Sequence, residues 1–147
     1  MITLVRHSQS THNLYGDKTR DCPLTEHGIK QASTIIGTYD LVICSTLKRA
    51  RQTLAASQLI YKEVIFTDLC REIRDRNPIN LLPEEEASKI DNETRLQITA
   101  RIEEFRKFLK ECSNKFEKIA VISHGVFLGH LSGHPSHNCE QWLYKIT

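Results

Sequence analysis

Four short apolar runs punctuate the chain, at residues 2–5, 41–44, 64–67 and 119–123. Each is rich in β-branched residues, the pattern of strands covered on both faces. Helical spacing fills the intervals between them. Ile29, Ala32 and Ile36 recur at that spacing after Thr25-Glu-His-Gly28, and residues 49–59 read as a second helix. A longer helix runs from about residue 92 to 112, with Ile98, Ile102, Phe105, Leu109 and Cys112 separated by steps of four and three. Pro83 ahead of Glu84, Glu85 and Glu86 predicts a further helix start, with proline at the first helical position and acids in the first turn. A solvated helix end accounts for those acids without chemistry. Residues 138–146 predict one last strand.

Alternating strands and helices imply an α/β fold: a single three-layer domain over residues 1–147, mostly parallel in its sheet, with helices on both faces and right-handed crossovers. No internal repeat, low-complexity tract or linker interrupts it. In such sheets ligands sit beyond the carboxyl ends of the strands. The residues just after each apolar run are therefore the place to look for chemistry.

Composition narrows the classes. The chain has 147 residues, 39% hydrophobic and 26% charged, as expected of an ordinary globular protein with one sizeable core. The formal net charge of +2 is spread without a basic block, which argues against a nucleic-acid or membrane partner. A small anion needs only a local positive pocket. Five cysteines at irregular spacing, with no C-x-x-C pair, read as reduced structural thiols. The first residues carry only a short apolar run before Arg6, without the pattern of a signal peptide, so the expected location is cytoplasmic. Nothing in the sequence specifies an oligomeric state.

After the first run come Arg6, His7, Ser8, Gln9 and Ser10; after the second, Ser45 to Arg49; after the third, Arg71 and Glu72; after the fourth, His124 and Gly125. Two arginines, two histidines and a carboxylate suit one task, binding a phosphate dianion and attacking it. The planar forks of Arg6 and Arg49 match phosphate oxygens. A histidine with one nitrogen free and the other held by an acceptor can attack phosphorus, and neighbouring guanidinium charge keeps it neutral. A second histidine, protonated, stabilises charge on the equatorial oxygens. A glutamic acid beside the dianion supplies the leaving group's proton, and then takes one from the attacking water. No metal or other cofactor enters this scheme.

The same residues carry a family resemblance. Leu4-Val-Arg-His-Ser-Gln-Ser-Thr-His-Asn13 resembles the R-H-G-E/Q-x-x-x-N signature of the histidine phosphatase (phosphoglycerate mutase-like) superfamily. Pro23-Leu-Thr-Glu-His-Gly-Ile-Lys-Gln-Ala32 resembles its P-L-T-x-x-G-x-x-Q-A segment. Ser45-Thr-Leu-Lys-Arg-Ala-Arg-Gln-Thr53 resembles S-x-L-x-R-A-x-Q-T, and Val121-Ile-Ser-His-Gly125 resembles V-S/T-H-G. The resemblance implies a phosphoglycerate mutase-like fold and a phosphomonoesterase working through a phosphohistidine on His7. It further implies phosphate contacts from Arg6, Asn13, Arg49 and His124, and Glu72 as proton donor. Two positions depart from the pattern. Ser8 replaces the usual glycine, with a hydroxyl in reach of a phosphate. Ile73-Arg-Asp-Arg-Asn-Pro78 follows Glu72 where the family often continues with glycine and W-E-G, which leaves Asp75 and Glu26 as alternative acids.

Alternative readings attach to several residues. Arg49 also reads as a helix-surface residue, Asn13 as a turn cap, and Glu72 as an exposed partner of Arg71 or Arg74. His130, His134, His137 and Cys139 cluster near the C-terminus, but Gly133 and Pro135 carry the second histidine past any helix, and a histidine-rich loop is expected rather than a metal site. Cys70 and Arg76 have the spacing of a cysteine-dependent phosphatase loop, yet Glu72 and Asp75 between them would repel a phosphate. The expected substrate is a small phosphate ester or a phosphoprotein. The rival functions are phosphoglycerate mutase-type phosphotransfer, for which the chain has little room, and a phospho-ligand binding protein with weak catalysis.

Overall fold

The computed structural model describes residues 1–146. Five strands, β1 (Ile2–Arg6), β2 (Ile36–Ser45), β3 (Gln58–Thr67), β4 (Ile119–Ser123) and β5 (Gln141–Tyr144), form one sheet in the order β3-β2-β4-β1-β5. All neighbours are parallel except β5, which runs antiparallel along β1 with Leu4 opposite Trp142. The helices are α1 (Thr11–Tyr15), α2 (Glu26–Ala32), α3 (Lys48–Ala56), α4 (Arg95–Ser113) and α5 (Gly125–Ser132).

Alternation along the central strands divides the core in two. Leu4, Leu41, Ile43, Ile119 and Val121 face α4 and α5, packing on Ile102, Phe105, Leu109, Phe127 and Leu128. Val5, Val42, Cys44, Ala120 and Ile122 face the other way, onto Ala32 of α2 and Ala50 and Leu54 of α3. Strands covered on both faces must be apolar at successive positions, which is why the runs at 2–5, 41–44 and 119–123 stand out in the sequence. Helices α2 and α4 start at local capping residues. Thr25 accepts from the Gly28 N–H, and Thr94 with Gln97 forms a reciprocal capping box.

Several elements differ from the sequence expectation. Helix α2 stops at Ala32, and Ile36 opens β2 instead of continuing the helical stripe. Helix α3 ends at Ala56, so β3 begins at Gln58, inside the segment assigned to that helix. Strand β3 is a sheet edge and largely exposed, not covered on both faces. No α-helix starts at Pro83. Glu85 turns inward there, and its carboxylate accepts from Arg71 and from the Leu82 N–H. Tertiary ion pairing thus overrode a local helix-start signal. No helix among the described residues is long and apolar enough to cross a membrane.

Candidate active site

The carboxyl ends of β1, β2 and β4 converge on a cavity of about 300 Å³. His7 follows β1, and its backbone N–H donates to the Ser123 carbonyl at the end of β4, 2.9 Å away. The residue is 4% exposed. Its Nδ1 lies 2.7 Å from the Ser8 carbonyl oxygen. A carbonyl can only accept, so Nδ1 carries the proton and Nε2 keeps a lone pair. Arg49 Nε donates to that Nε2 at 3.3 Å. Burial first, and then the Arg49 charge, hold His7 well below the ordinary histidine range, so the ring is neutral.

Arg49 lies in the first turn of α3, where the N-cap residue Leu47 offers no side-chain bond. Asp21 replaces it from a distance, accepting from the Lys48 N–H at 2.6 Å. Arg49 is no surface residue. It is buried, with Nη1 donating to the Ile79 carbonyl and Nη2 to Asn80 Oδ1, each at 2.7 Å. Asn80 is buried too, and its own amide donates to Asp75 and the Ile73 carbonyl. The divergent segment after Glu72 therefore folds over the site and fixes its second arginine. Sequence reading missed Asn80 because no motif marks it.

Arg6 reaches the cavity from the end of β1. Its Nη1 donates to the Ser136 carbonyl, and its Nε is buried without a partner. A Cβ on Gly125 would stand 3.0 Å from Arg6 Cζ and Nε, so the glycine after His124 is the space the guanidinium occupies. His124 is wholly buried, its ring centroid 5.2 Å from that of His7. Its Nε2 is 2.8 Å from Ser45 Oγ, and its Nδ1 has no partner. Burial and then Arg49 push its pKa well down, so in the free protein it is neutral rather than the protonated histidine expected.

Asn13 is a cap, one of the two readings given to it. Its Oδ1 accepts from the Ser10 N–H and hydroxyl in a capping box for α1, and the residue lines the cavity. Asn138 donates to the same oxygen and to the His7 carbonyl, while the Cys139 N–H donates to the carbonyls of Arg6 and His7. The C-terminal segment thereby clamps the loop after β1, a role that only three-dimensional proximity reveals. Ser8 fits without left-handed backbone, and its hydroxyl lies 3.4 Å from Thr53 Oγ1. That contact ties the loop to α3, and Ser8 is not among the residues that line the cavity.

Glu72 lines the cavity but is not paired with Arg71 or Arg74. Its Oε1 accepts from the N–H groups of Ile73 (2.9 Å) and Phe127 (2.8 Å), and Oε2 accepts from Val126 at 3.1 Å. It therefore caps α5. Oε1 has both acceptor sites filled, whereas Oε2 keeps one open. Asp75 lines the mouth of the cavity, exposed. Glu26 is exposed at the start of α2 and does not line it.

The remaining clusters go elsewhere. His134 lies beyond α5, paired with Glu140 and packed on Trp142, and no metal-ligating group of three occurs among the described residues. Cys70 is buried with its thiol pushed up to about 12, chiefly by desolvation, and Arg76 points away to Asp91. The two do not form an anion loop. All five cysteines are free.

Comparison with known proteins gives a consistent picture. The family model of the histidine phosphatase superfamily (branch 1) matches residues 2–140. No curated protein matches at a significant level. Among solved structures, the chain is similar to the alpha-ribazole phosphatase of Shigella flexneri, with 26% identity, 91% of this chain and 80% of that chain covered, and a TM-score of 0.67. It also shares the fold of a phosphoserine phosphatase from Entamoeba histolytica, solved with 3-phosphoglyceric acid, at 22% identity, 86% and 75% coverage and a TM-score of 0.56.

Proposed function

This chain belongs to the histidine phosphatase superfamily, and we propose that within it the protein is a metal-independent phosphomonoesterase that is transiently phosphorylated on His7. The observation that carries the reading is a pair of buried, unpartnered nitrogen atoms, Arg6 Nε and His124 Nδ1, on residues that flank a neutral His7. Buried polar atoms without partners cost free energy, and a site that collects them is built for a ligand.

In this reading the phosphoryl oxygens take the N–H groups of Arg6, Arg49 and the Asn13 amide. An oxygen replaces His7 as the acceptor of Arg49 Nε, which frees the Nε2 lone pair. Nε2 attacks phosphorus, the bond to the leaving oxygen breaks, and Glu72 Oε2 delivers the proton that oxygen needs. The bound dianion favours a proton on His124, which then supports the equatorial oxygens. Water then attacks the phosphohistidine and gives its proton to Glu72. The nitrogen–phosphorus bond breaks, and inorganic phosphate leaves. The phosphatases among similar structures support the class of reaction.

Turnover of an aryl phosphate, with and without chelator, tests this. The expected result is hydrolysis unaffected by chelator and reduced at least about a thousandfold in His7→Asn. Acid quenching should trap an acid-labile phosphoenzyme in the wild type only. Hydrolysis without such a species would overturn the histidine mechanism, and retained phosphate binding without hydrolysis would favour a binding protein.

A further inference from the structure

The cavity is lined by two permanent cations, Arg6 and Arg49, and two carboxylates, Glu72 and Asp75. The proposed chemistry commits both cations to the phosphoryl group. No third lysine or arginine lines the cavity among the described residues. The arginines nearest in sequence are engaged outside it. Arg71 pairs with Glu85 at 2.6 Å, Arg76 with Asp91 at 2.7 Å, and Arg74 Nε donates to the Asp91 carbonyl.

Asp75 is held in place at the mouth. Its Oδ1 accepts from the Asn77 N–H at 3.0 Å and from Asn80 Nδ2 at 3.1 Å, and Oδ2 takes part in no protein hydrogen bond. Asn80 in turn holds Arg49, so the carboxylate sits at a fixed remove from the phosphate-binding arginine. Asp75 lines the same cavity of about 300 Å³ as His7 and Arg49, with room for a phosphoryl group and a small leaving group. A leaving group that runs from His7 toward the mouth passes Asp75. A carboxylate there finds no further lysine or arginine and meets a like charge, whereas an ammonium or hydroxyl finds an open acceptor.

We infer that Asp75 is a specificity residue, and that the substrate class is a phosphate monoester of a neutral or cationic alcohol. Esters whose leaving group bears a carboxylate are rejected. The inference rests on the phosphatase reading above and narrows it.

Three probes of similar size decide the matter: phosphoethanolamine, glycerol 2-phosphate and 3-phosphoglycerate. At fixed ionic strength the expected kcat/KM for 3-phosphoglycerate is roughly tenfold or more below that for glycerol 2-phosphate, with phosphoethanolamine at least equal to the latter. Asp75→Asn keeps the Oδ1 acceptor and removes the charge, and should narrow the gap to about threefold or less. The same series in His12→Gln, which alters the other titratable side chain at the mouth, should leave the gap as it is. Equal use of 3-phosphoglycerate and glycerol 2-phosphate by the wild type overturns the inference. So does a loss of kcat on all three probes alike in Asp75→Asn, which would make Asp75 a proton donor. Calorimetric binding of the probes to His7→Asn separates this from the parent reading. A flat affinity ranking defeats the inference, while an intact ranking without any wild-type turnover defeats the phosphatase reading alone.

Discussion

Gly28 and Gly125 are both confined, but by different neighbours. A Cβ on Gly28 would come within 2.0 Å of the Gln9 carbonyl oxygen, which is backbone of the loop after His7. Backbone cannot step aside cheaply, so Gly28→Ala should cost about 3 kcal/mol or more, at the upper end for overpacking. Urea unfolding measures it, and a loss under about 1 kcal/mol would mean the two segments separate without penalty. At Gly125 the neighbour is the Arg6 guanidinium, a side chain that can shift. Alanine also favours helix by up to about 1 kcal/mol over glycine. Gly125→Ala should therefore keep or raise stability while lifting KM by roughly tenfold through a displaced Arg6. At this scale the sequence placed Arg6, His7 and His124 at strand ends, and the structure brings the three together. The sequence was silent on Asn80, whose bond to Arg49 spans 31 residues and depends on how an irregular loop closes.

Helices α3 and α5 share a device: each has its first turn held by a carboxylate from another part of the chain, Asp21 and Glu72 respectively. Removing the Asp21 cap in Asp21→Ala should cost about 1 kcal/mol, and the loosened first turn should weaken phosphate binding through Arg49. Glu72 gives a sharper contrast. Glu72→Ala leaves three backbone N–H groups without their acceptor and should cost about 1–3 kcal/mol, whereas Glu72→Gln retains an acceptor oxygen and most of the stability. Both should lose turnover. Equal stability of the two variants in chemical denaturation would show that the cap does not stabilise α5. Neither contact belongs to a local capping signature, so the sequence predicted α3 without predicting what starts it, and did not mark α5 as a helix. The strands show a similar limit. The run at 41–44 marks only the doubly covered half of β2, and its first half, with Ile36 exposed and Gly37 at φ 148°, carries no strand pattern.

Over the whole molecule, the two site histidines make stability depend on pH. Each has its native pKa pushed well below the ordinary value of 6.5, chiefly by burial. Below that value the unfolded chain binds protons that the native state refuses, so stability is complete above about pH 6.5 and falls as pH drops. The slope is up to about 1.4 kcal/mol per pH unit for each histidine. Denaturation at pH 7.5 and 5.5 should show the fall, and His7→Asn should remove about half of what the pair contributes. An unchanged slope in that variant would show that His7 is not held neutral.

On the proposed function, Arg6 Nε and His124 Nδ1 make the folded protein a detector of its own ligands. An oxyanion held by those two residues should bind the native state alone and raise the melting temperature. At a hundred times its Kd it adds about 2.7 kcal/mol to stability. Vanadate, inorganic phosphate and unreactive ester analogues can thus be ranked by heating alone. Such a screen works without turnover and whatever the leaving group.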